Sequence, residues 1–395
     1  MLTVDSFDFD GKRALIRVDF NVPLSDSLEI TDDSRITAAL PTIQKILKDG
    51  GSVVVMSHLG RPKNGPENKF SLIHLVPYLE RVTKATVEFS NDCISEQALN
   101  MSKSIEPGTI HVLENLRFHN EEKMGDASFA QKLAQHGDIY VNDAFGTAHR
   151  AHASTSIVAQ FFEEKCFGYL MANEVANAKK LMSNPERPFT SIVGGAKVSD
   201  KILIIENLLS IADHIIIGGG MAYTFKVAQG GTIGNSLFEE DRVQTCKEIL
   251  EKAAASGVQI HLPEDSTVAD NFSNEANVKL CDSDKIEDGW MGLDIGEKAV
   301  EAFSSVLMKS KTILWNGPMG VFEMSNFENG TKSVAQAVAD ATKSGAFSLI
   351  GGGDSSAAVK KFGFTDDVSY VSTGGGALLE FFEGKELPGI AAIEA

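Results

Sequence analysis

The sequence predicts an α/β protein with two lobes, each a doubly wound parallel sheet. Short runs rich in Val and Ile alternate along the chain with stretches of helical periodicity, and this order is typical of parallel sheets with crossover helices. The runs lack strict alternation, as expected for strands buried on both faces. A chain of 395 residues is also too long for one ordinary core, so we expect two domains.

The apolar runs give nine predicted strands, and the helical periodicity is clearest over Ile36–Lys48 and Thr331–Lys343. The predicted strands are Ala14–Val18, Ser52–Met56, Ile110–Leu113, Ile139–Val141, Ser191–Val193, His214–Ile217, Thr312–Trp315, Phe347–Ile350 and Ser369–Val371.

A further amphipathic helix is predicted near the middle of the chain, where apolar residues from Met171 to Met182 recur at steps of four, three and four. Asn184, Pro185 and Pro188 end it. We interpret it as a connector between the lobes; a helix wholly inside the first domain is the alternative. The predicted organisation is a first domain over 1–168, a helix and linker over 169–187, and a second domain over 188–384.

Composition narrows the classes of function. The net charge of −18 and the pI near 5.0 make nucleic acid and anionic membranes poor partners. No apolar stretch approaches the roughly 18 residues that a membrane span needs, and the acidic N-terminus does not resemble a signal peptide. The four cysteines are widely spaced, which argues against zinc and disulfides and favours a reducing cytoplasm.

Basic side chains concentrate in the first half, where seven of the nine arginines precede residue 151. Ligands of open α/β sheets bind beyond the carboxyl ends of the strands, and four predicted strand ends lead to an arginine. Guanidinium groups match carboxylate and phosphate oxygens, so the set favours a ligand that bears both. The alternative for each arginine is a solvated surface position or a salt bridge. For His58, a structural role is about as probable as a ligand contact. Arg13, Arg17 and Arg81 receive no function, because none follows a strand end.

The second half instead joins strands to helices through glycines, in the segments SIVGGAKVSDKI, IIIGGGMAYTF, LIGGGDSSAAV and YVSTGGGALLEF. Glycine permits tight turns, and a helix start offers free N–H groups to phosphate. One such junction is weak evidence, but four favour a polyphosphate. The P-loop and dinucleotide signatures are both absent.

Particular residues refine this second site. Lys201 is predicted in the first turn of a helix opened by Ser199 and Asp200, where a cation opposes the helix dipole unless an anion binds. Lys197 can reach the same phosphates. Asp354, after three glycines, suits Mg²⁺ beside phosphate oxygens, with a plain N-cap as the alternative. Glu323 suits ribose hydroxyls, and the segment MGLDIG can wall a base.

Together these segments closely resemble the phosphoglycerate kinase family. The matching stretches occur in family order over essentially the whole chain: RVDFNVP, SHLGRP, LENLRF, FGTAHRAH, GGAKVSDK, GGGMAYTF, MGLDIG, WNGPMGVFE, GGGD and STGGGA. The resemblance implies two Rossmann-like lobes and reversible phosphoryl transfer from 1,3-bisphosphoglycerate to Mg-ADP, which gives 3-phosphoglycerate and Mg-ATP.

The resemblance also implies roles for individual residues. The expected substrate contacts are Asp19, Phe20, Asn21, Arg35, His58, Leu59, Gly60, Arg61, Arg117 and Arg150. The expected nucleotide contacts are Lys197, Lys201, Gly292, Glu323, Gly351, Gly352, Gly353, Asp354 and Ser355, with Asp354 holding Mg²⁺. Arg35, Lys201 and Gly375 are the expected catalytic residues, and Gly374–Gly376 resemble the helix start that receives the phosphoryl group.

Further expectations follow from the resemblance and from the composition. The C-terminal segment 385–395 returns to the first lobe. Ser355 replaces the usual Thr and keeps the hydroxyl, whereas Asn235 replaces a common Lys and leaves any phosphate contact there in doubt. We expect a monomer that binds neither nucleic acid nor membrane.

The expected mechanism is direct in-line transfer without a phosphoenzyme. No general base is needed, because the acceptor in the ATP-consuming direction is an already ionised carboxylate. The half-sites lie on different lobes, so the lobes must close, with the helix near 169–183 and the segment Ser372–Gly376 as hinges. Two alternatives remain at this point: an NAD-dependent dehydrogenase, and a non-enzymatic two-lobe protein that traps an anion.

Overall fold

The computed structural model describes residues 1–63 and 65–395, which divide into two compact units. Unit 1 comprises Met1–Ala176 together with Glu386–Ala395, and unit 2 comprises Asn177–Lys385. The division falls inside the helix Tyr169–Ser183, so this helix contributes to both units. Its role as a connector stays a prediction.

Unit 1 is built on a six-stranded sheet in which all strand pairs are parallel, in the order β3-β4-β2-β1-β5-β6. The central strands are buried along almost their whole length, which explains their continuous apolar sequences. The strands are β1 Arg13–Val18, β2 Ser52–Met56, β3 Val87–Ser90, β4 Ile110–Leu113, β5 Ile139–Asp143 and β6 Lys165–Phe167.

The helices of unit 1 cover this sheet with apolar faces. In the first helix, Ile36, Ala39, Ile43 and Ile46 recur at helical spacing and are all buried in the core cluster of the sheet. The helices are α1 Ser34–Lys48, α2 Val76–Thr83, α3 Glu96–Lys103, α4 Asn120–Met124, α5 Ala127–Ala134 and the connecting helix α6 Tyr169–Ser183, with α14 Pro388–Glu394 from the C-terminal segment.

Unit 2 repeats this architecture with a second parallel sheet of six strands, in the order β10-β8-β7-β15-β16-β17. Its strands are β7 Phe189–Val193, β8 His214–Ile217, β10 Gln259–His261, β15 Thr312–Asn316, β16 Phe347–Gly351 and β17 Tyr370–Val371. Its helices are α7 Ile202–Leu208, α8 Met221–Ala228, α9 Val243–Ser256, α10 Glu297–Leu307, α11 Asn329–Lys343, α12 Gly353–Lys361 and α13 Gly376–Phe382.

Two smaller sheets accompany the main sheet of unit 2. Three antiparallel strands pair in the order β12-β11-β14, and two short parallel strands pair as β13-β9. The strands are β9 Thr232–Ile233, β11 Asp265–Ala269, β12 Val278–Asp282, β13 Lys285–Ile286 and β14 Met291–Ile295. This layer carries the segment MGLDIG and places it beside the ends of the main strands.

The predicted fold class is confirmed, since both main sheets are parallel and strands alternate with helices. All nine predicted strands exist, three of them with the predicted bounds. The short edge strands β3, β6 and β10 and both smaller sheets were not predicted, because these segments are brief or polar. Within the described part of the chain, no helix is long and apolar enough to cross a membrane.

Candidate functional site

The polar loops of unit 1 meet at one edge of its sheet. Strands β4, β2, β1 and β5 are neighbours and run in the same direction, so the loops that follow their carboxyl ends converge. Helix α1 begins at this edge and carries Arg35 in its first turn. The residues brought to this edge are Asp19, Asn21, Arg35, His58, Gly60, Arg61, Arg117 and Arg150.

Hydrogen bonds tie these loops to one another. Arg35 Nη1 donates to Asp19 Oδ2, and the Gly60 N–H donates to Asn21 Oδ1 at 2.7 Å. Arg117 Nη1 donates to the Gly60 carbonyl at 2.8 Å. The three loops are therefore fixed relative to each other by the same side chains that were predicted to hold a ligand.

Among the other predicted substrate residues, Phe20, Leu59 and Gly60 stabilise the loops, whereas Arg61 extends into solvent. Phe20 and Leu59 are buried; the Phe20 N–H donates to Ser57 Oγ, and the Leu59 carbonyl accepts from Asn115 Nδ2. Gly60 has a φ of 64°, and a Cβ there would lie 2.3 Å from the Phe70 ring, so this turn requires glycine. Arg61 is exposed.

Arg17 belongs to this site, although no function was predicted for it. It is 1% exposed; its Nε donates to Ser154 Oγ at 2.8 Å and its Nη2 lies 3.2 Å from His58 Nδ1. Because a guanidinium group only donates hydrogen bonds, His58 Nδ1 must accept, and the proton of the neutral ring lies on Nε2. The strand-end rule missed Arg17 because it is the fifth residue of β1 and lies before the strand end.

Positive charge is in excess at this edge. The pKa of His58 lies well below its usual value, and burial lowers the pKa of Arg117 to about 10, with Arg150 and Arg17 as further causes. For His58, burial is again the main cause, and the guanidinium groups of Arg17, Arg117, Arg150 and Arg35 add to it. Mutual repulsion among buried cations is relieved when an anion binds.

At the carboxyl edge of its sheet, unit 2 exposes backbone groups of glycine turns, whereas unit 1 carries charged side chains there. After β7, a Cβ at Gly194 would lie 2.1 Å from the Pro318 carbonyl oxygen, and Gly195 has a φ of 115°. After β16, Gly352 has a φ of 91° and leads into α12. After β17, Gly375 has a φ of 48° and precedes α13. Gly194 thus allows a close backbone approach that a side chain would block, and the other three adopt positive φ values that favour glycine.

Lys201 lies in a different place from the one predicted. The segment Ser199–Lys201 forms a turn, and α7 begins only at Ile202, so Lys201 precedes the helix instead of occupying its first turn. The eight residues from Gly194 to Lys201 form a loop that the spacing of the motif did not reveal. Lys201 Nζ donates to Asn316 Oδ1, and burial lowers its pKa against the opposing effects of Asp200, Asp354 and Glu383.

A cavity of about 480 Å³ opens beside these glycines, within unit 2. Its wall is mostly apolar, including Tyr223, Phe272 and Met319, and Glu323 and Asp354 also line it. A Cβ at Gly292 would lie 1.7 Å from the Tyr223 hydroxyl, so only glycine lets β14 pass this ring. A mostly apolar cavity with acidic groups beside it fits a nucleobase and ribose.

The segment Gly353–Ser355 opens α12. Asp354 is exposed in the first turn, and buried Ser355 Oγ accepts from the Gly317 N–H at 2.6 Å. Lys197 is exposed on the loop after β7. Asn235 lines the cavity, where its Oδ1 accepts from the Gly289 N–H at 3.3 Å.

Sequence reasoning missed the residues that complete this site. Asn316 links two strand ends, because it accepts from Lys201 and its Nδ2 donates to the Gly351 carbonyl at 2.8 Å. Its position directly after the predicted strand Thr312–Trp315 was a usable signal. Tyr223 and Phe272 were not identifiable, since nothing in a helical or loop pattern marks an aromatic ring as a cavity wall.

A model of the phosphoglycerate kinase family matches residues 4–385. The chain belongs to the phosphoglycerate kinase family. It is 51% identical to the phosphoglycerate kinase of Porphyromonas gingivalis over the whole of both chains. It is 53% identical to that of Chloroherpeton thalassium, over 99% of this chain and 98% of the relative.

Solved structures agree with this assignment. The phosphoglycerate kinase from Coxiella burnetii superposes with a TM-score of 0.90 at 41% identity, over 100% of this chain and 98% of that one. The enzyme is therefore a kinase that transfers a phosphoryl group between ATP and the carboxyl group of 3-phosphoglycerate. The dehydrogenase and the non-enzymatic anion trap are both set aside by this result.

Proposed function

We propose that unit 1 binds 3-phosphoglycerate or 1,3-bisphosphoglycerate through Asn21, His58, Arg61, Arg117 and Arg150, with Asp19 and Arg35 at the same edge. The observation that carries this proposal is the convergence of guanidinium groups at one edge of the sheet, where burial and the neighbouring positive charges together lower the pKa values of His58 and Arg117. A ligand with one carboxylate and one phosphate supplies the missing negative charge in groups that guanidinium forks match.

We propose that ATP or ADP binds in unit 2. The base enters the 480 Å³ cavity between Gly292 and the apolar wall, and Glu323 accepts from the ribose hydroxyls. The phosphates lie along Gly351–Gly353 and the loop that carries Lys197 and Lys201, where free N–H groups and the start of α12 favour anions. Ser355 stabilises the start of α12, because its Oγ accepts a hydrogen bond from the Gly317 N–H.

Mg²⁺ fits this arrangement through Asp354. Its carboxylate is exposed in the first turn of α12 and lines the same cavity as Glu323. One carboxylate is sufficient, because Mg²⁺ usually takes one or two protein ligands and completes its shell with phosphate oxygens and water. Bound there, the ion would offset negative charge on the nucleotide phosphates.

We propose direct in-line transfer in which Arg35 and Lys201 neutralise the equatorial oxygens of the moving group, with N–H donors near Gly375. No general base is needed, since the carboxylate of 3-phosphoglycerate is already ionised at neutral pH. Because the two sets of ligands belong to different units, the reaction requires a closing step that brings the reacting atoms within about 3–3.5 Å.

We further propose that the enzyme acts as a monomer in the cytoplasm. One relative, 49% identical over 99% of this chain, is named as the cytosolic phosphoglycerate kinase 3 of Arabidopsis thaliana. The acidic charge of −18 gives no attraction to nucleic acid or to anionic membranes.

The test is a coupled assay with 3-phosphoglycerate and Mg-ATP, run on the parent chain, Arg61→Ala and Arg81→Ala. Arg81 is the matched control, because it lies over the Tyr78 ring on α2 and was assigned no function. Turnover in the parent and in Arg81→Ala with a strong loss in Arg61→Ala supports the basic site. Equal activity of the parent and both variants would show that Arg61 does not contribute to the basic site. In a separate test, retention of configuration at a chiral phosphorus would contradict direct transfer.

A further inference from the structure

The floor of the cavity in unit 2 contains a buried carboxyl group that the proposed mechanism does not use. Asp294, the fourth residue of β14, is 3% exposed and lines the cavity. Its Oδ1 accepts from the Ile295 N–H at 2.9 Å, and its Oδ2 accepts from the Gly330 N–H at 2.7 Å. The second bond reaches the first turn of α11, so Asp294 joins β14 to that helix.

The same two elements hold the loop 318–323 between them. Thr331 Oγ1, in the first turn of α11, accepts from the N–H groups of Met319 and Gly320 at 3.1 and 3.3 Å. On the other side, the Val321 N–H donates to the Leu293 carbonyl at 2.9 Å. The loop therefore depends on β14 and α11 keeping their spacing.

Both neighbouring backbones pack directly on the carboxyl group. A Cβ at Gly320 would lie 2.2 Å from Asp294 Oδ1, and a Cβ at Gly330 would lie 2.3 Å from the same atom. The carboxyl group thus fixes the separation of three segments at once: β14, the loop 318–323 and the start of α11.

We propose that Asp294 is a positioning residue for the nucleotide: it holds the loop 318–323, and with it Glu323 and the wall formed by Met319 and Val321, in the geometry that binds Mg-ATP. This inference rests on the proposed assignment of the cavity to the nucleotide. Asp294 itself need not touch the ligand, because its two oxygens are engaged by backbone N–H groups.

An amide cannot replace this carboxyl group. In Asp294→Asn, one oxygen still accepts a hydrogen bond, but the amide nitrogen faces a second N–H donor and leaves it unsatisfied. The substitution keeps the size of the side chain, so the expected change is a shift of the loop without a cavity.

Asp265 provides a matched control in the same small sheet. It is 5% exposed, and its oxygens accept from the N–H groups of Lys298 and Ala299 at 3.2 and 2.9 Å, at the start of α10. A Cβ at Gly296 would lie 2.3 Å from its carboxyl group. Asp265 thus makes the same kind of helix cap as Asp294, on a strand paired with β14, but it does not line the cavity.

The experiment measures KM for Mg-ATP, KM for 3-phosphoglycerate and Tm in the parent chain, Asp294→Asn, Asp265→Asn and Thr331→Val. We expect Asp294→Asn to raise the KM for Mg-ATP by about fivefold or more while the KM for 3-phosphoglycerate changes by less than about twofold. Thr331→Val, which removes the acceptor for the loop, should shift the KM for Mg-ATP in the same direction. Asp265→Asn should lower Tm and leave both KM values unchanged.

Several results would overturn the inference. An unchanged KM for Mg-ATP in Asp294→Asn, or an equal rise in Asp265→Asn, would reduce Asp294 to a structural cap. If Asp294→Asn does not fold, Thr331→Val decides, and a normal KM for Mg-ATP in that variant rejects the proposal. Failure of the parent chain to turn over Mg-ATP would instead reject the proposed function, and with it this inference.

Discussion

The two units of this kinase use the same sheet architecture but present different chemistry at the carboxyl edge. In unit 1, side chains form the surface: four strand-end loops carry guanidinium groups, and burial together with neighbouring guanidinium charges lowers the pKa values of His58 and Arg117. In unit 2, the backbone forms the corresponding surface, because glycines there adopt φ values that other residues rarely adopt. A compact ligand with two anionic groups suits directed charges, whereas a long phosphate tail suits a row of N–H groups.

The largest effects should come from the cations that neutralise the moving group. Lys201→Ala and Arg35→Ala should each lower kcat by at least about a hundredfold, as for loss of one transition-state donor. Steady-state turnover with both substrates saturating is the measurement. Near-normal kcat in either variant would remove that residue from the catalytic role and leave the other in place.

A smaller and more selective effect is expected at Arg117. Its Nη1 supports Gly60 while its Nε is buried without a partner in the described residues, so it is already positioned and incompletely satisfied. Arg117→Ala should raise the KM for 3-phosphoglycerate by about thirtyfold, which corresponds to about 2 kcal/mol for a charged hydrogen bond. The KM for Mg-ATP should not change. A parallel rise in both constants would mean that the substitution damages the fold instead of the site.

A weaker effect should appear at Gly353 in unit 2. A Cβ there has no atom within 4 Å, and its φ is not positive, so alanine fits without strain. Gly353→Ala should keep Tm and raise the KM for Mg-ATP by about fivefold, because the methyl group blocks close approach of a phosphate. If the KM for Mg-ATP stays normal, the phosphates do not lie on this turn.

The smallest effect is electrostatic and belongs to His152 beside the basic edge. Burial is the main reason why its pKa is about 4, and Arg17, Arg150 and Arg117 lower it further. Binding of 3-phosphoglycerate should raise this pKa by an amount on the order of one unit, since the anion offsets those charges. Proton NMR titration of the ring with and without the ligand measures it. A shift produced by Mg-ATP alone would contradict the assignment of the basic edge to phosphoglycerate.

The burial of two other histidines makes the stability of unit 1 depend on pH. The pKa values of buried His111 and His136 are lowered to about 4, below the value of about 6.5 expected when the chain is unfolded. The unfolded chain therefore binds more protons between these values, and stability falls as the pH drops from about 6.5 towards 4.

The sequence predicted the buried strands that carry both sites, but not the contacts between side chains within the sites. Strand β2, Ser52–Met56, was predicted with its observed bounds because all five residues are buried and its pattern is continuously apolar. Strand β10 was missed, since Gln259–His261 is a short edge strand with one exposed and two half-buried residues. Strand propensity carries little information for such segments, because they pair only when the rest of the sheet is present.

The errors within the sites have the same origin. Arg17 reaches Ser154 across 137 residues of sequence, so no local pattern could show that its guanidinium group lies beneath His58. Ser199 and Asp200 resemble capping residues and so predict Lys201 inside a helix, whereas the backbone turns once more before α7 begins. Contacts between distant segments decided both positions.

The central claim is that unit 1 binds 3-phosphoglycerate and unit 2 binds Mg-ATP. Hydrogen–deuterium exchange on the full chain, with each ligand added separately, tests this claim most directly. We predict that 3-phosphoglycerate slows amide exchange in the loops 57–61, 115–118 and 145–150 of unit 1, and that Mg-ATP slows it in the segments 194–198, 218–220 and 351–355 of unit 2. Protection of the arginine loops by Mg-ATP, or of the glycine segments by 3-phosphoglycerate, would contradict the account.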